Sequence, residues 1–355
     1  MERVALAARG ACGVKANGRR ASLSTNHKPA VPILMRRLLS IMLILFQTVS
    51  AGGPLRADSP ADNGLQEARG AASQDAGEKR REVAMTDNAT TDYSLLDRPE
   101  VIMNLFHPRP EWGELQGRTA AVERLIPVAE GVVIGGRFHM VANTAANILF
   151  FHGNGEIAAD YDDLGPVYNR MEINFLAVDY RGYGRSTGRP TVTGMMQDCH
   201  AIYRDVRRWL KDNGYTGPFV VMGRSLGSAS VVELAAGYPS EIDGLIVESG
   251  FAYAEPLLRL LGVDVRSLGF REEAGFRNVD KVRAYAGPTL IIHAEYDHII
   301  PFSDGQAMYD ASPAPQKKLV KIPGANHNDI FARGFHQYMT AIQDFVGILS
   351  DSDGY

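Results

Sequence analysis

From about residue 120 onward, short apolar runs alternate with longer segments of helical period, and this alternation constrains the fold more than any other feature. Ile148 to Phe151, Phe175 to Val178, Phe219 to Met222, Leu245 to Val247, Leu290 to His293 and Leu319 to Ile322 are short, mostly apolar runs and the buried-strand candidates. Each is closed by Gly, Asp or another polar residue. Continuous apolarity, rather than every-other-residue polarity, is what a strand covered on both faces requires, and both faces are covered in parallel sheets. Between the runs, Met195 to Leu210 puts Cys199, Ile202, Val206, Trp209 and Leu210 on one helical face. Ile330 to Leu349 does the same with Phe335, Met339, Ile342, Phe345 and Val346. Val122 to Ala129 and Val132 to Val141 read as an antiparallel opening pair turned at Glu130-Gly131. The pattern predicts one α/β domain over 98–350 with a mostly parallel, doubly wound sheet.

The rest of the 355 residues divides by composition. Through Ala51 the chain carries eight basic side chains against the single acid Glu2, a net of +7, while the remainder carries −11. Arg36-Arg37, the apolar stretch from Leu38 and the small residues Val49-Ser50-Ala51 have the layout of an export signal. That stretch is shorter than the roughly 20 residues needed to span a bilayer. Residues 1–51 are therefore expected to be a cleaved leader that sends the protein to the periplasm or outside the cell, with an uncleaved membrane anchor as the alternative. Met35 offers a second start site. Residues 52–97, rich in small and charged side chains, predict a disordered linker. Val101 to Phe106, followed by His107-Pro108-Arg109-Pro110, predict an arm packed on the domain edge, and 351–355 form a tail. The acidic balance argues against a nucleic-acid partner, which needs clustered Lys and Arg.

In open parallel sheets chemistry gathers at the carboxyl ends of the strands. Four ends carry notable residues. Gly223-Arg224-Ser225-Leu226-Gly227 follows one strand and opens a helix; a G-x-S-x-G in that setting is a tight turn that presents a serine hydroxyl. His152-Gly153-Asn154-Gly155 follows another, where the backbone N–H of Asn154 or of Gly155 could join that of Leu226 in holding an oxyanion. Asp297 and His327 lie in the loops after the last two strands. A serine hydroxyl is a poor nucleophile near neutral pH, so an imidazole must take its proton and a carboxylate must fix the imidazole tautomer. The expected catalytic set is Ser225, Asp297 and His327.

These pieces, with Asp179-Tyr180-Arg181-Gly182-Tyr183-Gly184-Arg185-Ser186, Asp297-His298-Ile299-Ile300-Pro301 and Gly324-Ala325-Asn326-His327-Asn328-Asp329, resemble an α/β-hydrolase-fold serine hydrolase over about residues 100 to 350. The resemblance is to the compact, small-lid subgroup that includes intracellular protein depalmitoylases and many uncharacterised bacterial hydrolases. It implies cleavage of a carboxylic ester or thioester of a small molecule or lipid through an acyl-enzyme on Ser225, with no cofactor and no metal. Ala294 departs from the glycine that relatives often carry before the acid.

Other readings compete. Gly153-x-Gly155-x-x-Ala158 with Asp179 mimics a dinucleotide fingerprint, which would make the chain an NAD(P)-binding oxidoreductase. A non-catalytic binding protein on the same fold is the third reading. Asp179 and Arg181 to Ser186 are expected to be scaffolding, and His152 to support the oxyanion loop. Glu248 could substitute for Asp297 as the acid. Asp329 should cap the last helix. Cys199 reads as a buried small hydrophobe, and Arg224 as a partner either of a substrate carboxylate or of a nearby acid. His293 and His298 flank the acid without a third metal ligand. The apolar insert between Gly250 and Gly287 is expected to form a small lid or to join the core.

Overall fold

A computed structural model of the chain describes residues 91–112 and 121–351. The expected leader, most of the linker and the end of the tail lie outside the described residues. In chain order the elements are α1 (Pro99–Leu105), β1 (Val122–Ala129), β2 (Val132–His139), β3 (Ala146–Phe151), α2 (Gly165–Arg170), β4 (Ile173–Val178), α3 (Val192–Asp212), β5 (Phe219–Arg224), α4 (Gly227–Gly237), β6 (Gly244–Glu248), α5 (Ala254–Leu260), α6 (Asn278–Arg283), β7 (Thr289–Ala294), α7 (Phe302–Ala311), β8 (Lys317–Ile322) and α8 (Ile330–Asp351). The eight strands form one sheet in the order β1-β2-β4-β3-β5-β6-β7-β8. The β1–β2 hairpin and the β2–β4 pair are antiparallel, and every other neighbour is parallel. Gly131, at φ +66°, makes the hairpin turn at the expected place.

Strands β3 to β7 are buried along their whole length. Because successive side chains on a strand point to opposite faces, they feed two separate cores. Leu149, Phe151, Val221 and Val247 join α3, α4 and α7 on one face. Ile148, Phe150, Val220, Met222 and Ile246 join α2 and α8 on the other. The strands therefore show no polar alternation, because neither face meets water. One polar pair interrupts them near their amino ends, where Asn147 and Asn174 stand opposite each other across β3 and β4. The amide of Asn174 donates to Asn147 Oδ1 at 3.0 Å and that of Asn147 to Gly217 O at 3.1 Å.

Two points differ from the sequence expectation, and a third decides between its alternatives. The packed chain begins before residue 98, because Tyr93 and Leu96 are buried in the first core and Asp97 Oδ1 accepts the Val192 and Thr193 amides. That carboxylate and Thr191 Oγ1, which accepts from Gly194 N–H, together cap α3. On α8, Phe335 is 37 % exposed and Tyr338 takes the inward place. The helix bends at Gly334, where a Cβ would come within 2.3 Å of Ile322. The apolar insert packs rather than stands free: Leu258, Val263, Val265, Leu268, Phe270 and Phe276 belong to the first core, leaving Tyr253 and Leu260 outward. No helix among the described residues is long and apolar enough to cross a membrane.

Candidate active site

Strand β5 delivers Ser225 into the turn that opens α4. The backbone there leaves no room for side chains on either glycine: a Cβ on Gly223 would meet Gly227 O at 2.3 Å, and one on Gly227 would meet Phe151 O at 2.1 Å. This crowding forces Ser225 to φ +51°, a conformation L-residues avoid at a cost of about 1–2 kcal/mol. Its amide donates to Glu248 O at 2.9 Å, which fixes the turn against the end of β6.

The loops after β7 and β8 bring Asp297 and His327 to this hydroxyl. His327 Nε2 stands 3.0 Å from Ser225 Oγ, and His327 Nδ1 stands 2.7 Å from Asp297 Oδ2. The other carboxylate oxygen accepts the Ile299 and Ile300 amides at 3.0 and 2.8 Å. Burial raises the Asp297 pKa, but hydrogen bonding and charge from His327, with the Ile300 amide, outweigh it and hold the carboxyl below its ordinary range. An ionised acceptor fixes the proton on Nδ1 and leaves Nε2 free to accept from the serine. His293, whose pKa burial pushes down, donates from Nε2 to Ile300 O at 2.9 Å and so buttresses the same turn as a neutral ring.

The loop after β3 reaches the same end of the sheet. Gly153 N–H donates to Glu156 Oε2 at 2.8 Å, and His152 Nδ1 lies 2.8 Å from Gly153 O. Asn154 Oδ1 accepts the His107 amide and the Tyr183 hydroxyl at 2.9 and 2.7 Å. Tyr183, whose pKa burial raises against the His107 and Gly155 amides, thus has Gly155 N–H beside its hydroxyl. Arg109 donates to Gly155 O at 3.2 Å and pairs with Asp160. The arm thus grips this loop, a role the sequence did not reveal: His107 and Arg109 sit among prolines with no periodic or motif signal, and their partners are 46 to 51 residues away.

The remaining residues separate cleanly. Asp179 Oδ1 accepts Ala158 N–H at 2.8 Å and lies 3.3 Å from His152, while Arg181 makes a two-pronged contact with Asp198, so that segment is scaffolding. A dinucleotide fingerprint needs its second glycine to lead into a helix whose amino end holds the pyrophosphate. Here Gly155 leads only into a 3-10 turn at Ala158–Tyr161 whose first amide donates to Asp179, and Gly155 O is held by Arg109, so the loop does not fit the oxidoreductase reading. Glu248 engages Arg224 and Tyr338 rather than His327. Asp329 does not cap α8 with its side chain; its carboxylate accepts Asn326 N–H and Arg333 Nε, each at 2.6 Å, and ties the histidine loop instead. Cys199 is buried, donates to Met196 O, and has its thiol pKa pushed well up by burial. Arg224 pairs with Glu156 and Glu248 and is only 6 % exposed.

Residues 142–263 match the family described as serine aminopeptidase S33. Human alpha/beta hydrolase domain-containing protein 17B is 31 % identical over 208 residues, covering 58 % of this chain and 67 % of its own. The 17C protein of Xenopus tropicalis is 32 % identical over 204 residues, 56 % of this chain and 61 % of its own. The chain thus spans about two thirds of the length of the one relative and about three fifths of the other. Among solved structures, a Pyrococcus furiosus esterase superposes with a TM-score of 0.55 at 16 % identity over 68 % of this chain and 97 % of its own. A Saccharomyces cerevisiae monoglyceride lipase does so with 0.54 at 17 % over 67 % and 97 %. At such identities these two establish the fold alone, whereas the relatives establish kinship. By fold and by kinship with alpha/beta hydrolase domain-containing protein 17B, the chain belongs to the α/β-hydrolase family of serine hydrolases.

Proposed function

We propose that the protein cleaves carboxylic esters or thioesters through an acyl-enzyme on Ser225. The observation that carries this reading is the unbroken line Ser225 Oγ, His327, Asp297, with spacings of 3.0 and 2.7 Å, ending on a serine held at positive φ. His327 Nε2 takes the hydroxyl proton as Oγ attacks the carbonyl carbon, then returns it to the leaving alcohol or thiol. The resulting acyl-enzyme is cleared by water with His327 again as base. Asp297 holds the imidazole tautomer and stabilises the imidazolium that forms. The carbonyl oxygen, negative in the tetrahedral intermediate, is held by backbone N–H groups. Leu226, next to the nucleophile, supplies one and Asn154 the other; Gly155 ranks behind Asn154 because its amide lies beside Tyr183.

A lipid or lipid-modified acyl substrate, as in depalmitoylation, is the narrower form of this reading, and export by the leader with cleavage after Ala51 is part of it. A fluorophosphonate probe should label Ser225 stoichiometrically and fail on Ser225→Ala; labelling at another residue overturns the assignment. A panel of acyl esters and thioesters of increasing chain length, with Ser225→Ala as blank, identifies the substrate class. Amino-terminal sequencing of the exported protein should begin at Gly52.

A further inference from the structure

Arg224 precedes the nucleophile and ends β5, and its side chain turns to the α2 and α8 face of the sheet. All three nitrogen positions of its guanidinium are engaged, each with a different segment. Nη2 donates to the His327 main-chain oxygen at 2.9 Å. Nη1 stands 3.0 Å from Glu156 Oε1, and Nε stands 3.2 Å from Glu248 Oε1. The two carboxylates pass the grip on. Glu156 Oε2 accepts Gly153 N–H and the Tyr161 hydroxyl, the latter at 2.6 Å. Glu248 Oε2 accepts the Tyr338 hydroxyl at 2.6 Å, and Glu248 O accepts Ser225 N–H. One side chain therefore touches the loop bearing Asn154, the strand end that braces Ser225, and the backbone of His327.

Two simpler roles fit less well. Binding of a substrate carboxylate would need a donor facing solvent, and Arg224 is 6 % exposed with each guanidinium nitrogen already against a protein acceptor. A purely stabilising ion cluster would need no bond to the histidine's carbonyl, and buried charges are in any case poor sources of net stability compared with apolar packing. A planar fork of donors aimed in three directions is what arginine supplies and lysine cannot. Beside the cluster lies a cavity of about 60 Å³ lined by Arg224, Glu156 and Glu248 together with Phe150, Tyr168 and Phe331, so on that side hydrogen bonds rather than close packing hold the guanidinium.

We infer that Arg224 is a positioning residue that sets His327 and the Asn154 loop in register with Ser225. This rests on the Ser225 mechanism proposed above. The test measures kcat, KM and the fraction of sites titrated by a fluorophosphonate probe, with a short p-nitrophenyl ester as substrate, for wild type, Arg224→Lys and Arg224→Ala. Because misplacing a reacting group by about 1 Å costs on the order of 10²-fold in rate, Arg224→Ala should lose about that factor in kcat per titrated site while KM stays near wild type. Millimolar guanidinium, seated between Glu156 and Glu248, should restore part of the lost kcat in Arg224→Ala and leave wild type unchanged. Arg224→Lys keeps the charge balance but gives up the fork, and should show a smaller loss confined to kcat; it carries the test if Arg224→Ala does not fold. Normal kcat per titrated site in the folded variants, with only the number of sites reduced, overturns the inference in favour of a structural role. A rise in KM alone overturns it in favour of substrate binding. Failure of the probe to label Ser225 in wild type is a different result, which removes the underlying mechanism and this inference with it.

Discussion

Two serines occupy matching places on neighbouring strands. Ser225 follows β5 at φ +51° and Ser249 follows β6 at φ +44°; the amide of each donates at 2.9 Å to a carbonyl on the next strand, Glu248 O for the first and Ile292 O for the second. Beyond the backbone they diverge. Ser225 is half-buried with His327 against its hydroxyl, whereas Ser249 is fully buried with a hydroxyl that has no hydrogen-bond partner. Backbone strain is thus shared along this edge of the sheet. What makes one position chemical is what the loops after β3, β7 and β8 carry to it.

The largest expected effect breaks the pair most directly. Ser225→Ala should lower kcat by at least about 10⁴-fold, since removing a triad nucleophile leaves only binding and oxyanion contributions. Ser249→Ala should leave turnover at the wild-type level when both are assayed on one ester. Removing the partner that distinguishes Ser225 comes next: Asp297→Asn should cost about 10⁴-fold in kcat through the wrong His327 tautomer, with KM little changed. Loosening the loop that serves Ser225 alone is milder. Arg109→Ala, which frees Gly155 O and Asp160, should lower kcat about tenfold by letting the loop shift, measured beside an unchanged far-ultraviolet circular dichroism spectrum.

The partners of Ser225 also carry a pH signature that Ser249 lacks. The folded pKa of Asp297 lies below the ordinary 3.8. Its ionised pairing therefore contributes stability that is whole above the ordinary value and is lost as pH falls through the folded one. The difference in denaturation midpoint between wild type and Asp297→Asn should shrink on acidification over that window; a constant difference would mean that the charge is not what Asp297 contributes. The smallest effect is on stability at the silent serine. Ser249→Gly should relieve strain and remove an unpaired hydroxyl, giving a gain of about 1 kcal/mol or less once the glycine's extra chain entropy is set against it.

How much could be read beforehand follows the same division. Strands β3 to β7 announce themselves as apolar runs because burial on both faces erases polarity, and the candidate triad is legible because each member stands at a strand end in a local motif. What escaped has no local signature. His107 and Arg109 act across some fifty residues from within a proline-rich stretch. Tyr93, Leu95 and Leu96 form only a short apolar patch in a polar segment, so composition marked them as linker although the first core takes in Tyr93 and Leu96. Asp329 has the spacing of a helix cap but turns back to Asn326, since the geometry of the turn rather than the residue type decides which amides are within reach. Phe335 fits the apolar period of α8, and only the bend at Gly334 explains why Tyr338 displaces it inward.

The Asn147–Asn174 pair has a consequence for how the sheet assembles. Where both faces of a strand are greasy, sliding it by one residue past its neighbour exposes nothing polar, so hydrophobicity alone is nearly blind to alignment. Two amides that must meet each other, and are hidden from water, remove that ambiguity: any slip strands a polar group in an oily setting. The pair works as an index mark at the far end of β3 and β4 from Ser225, and through the inter-strand ladder it fixes which residues arrive at the edge that carries Ser225. Precision at one end of the sheet is thus decided at the other.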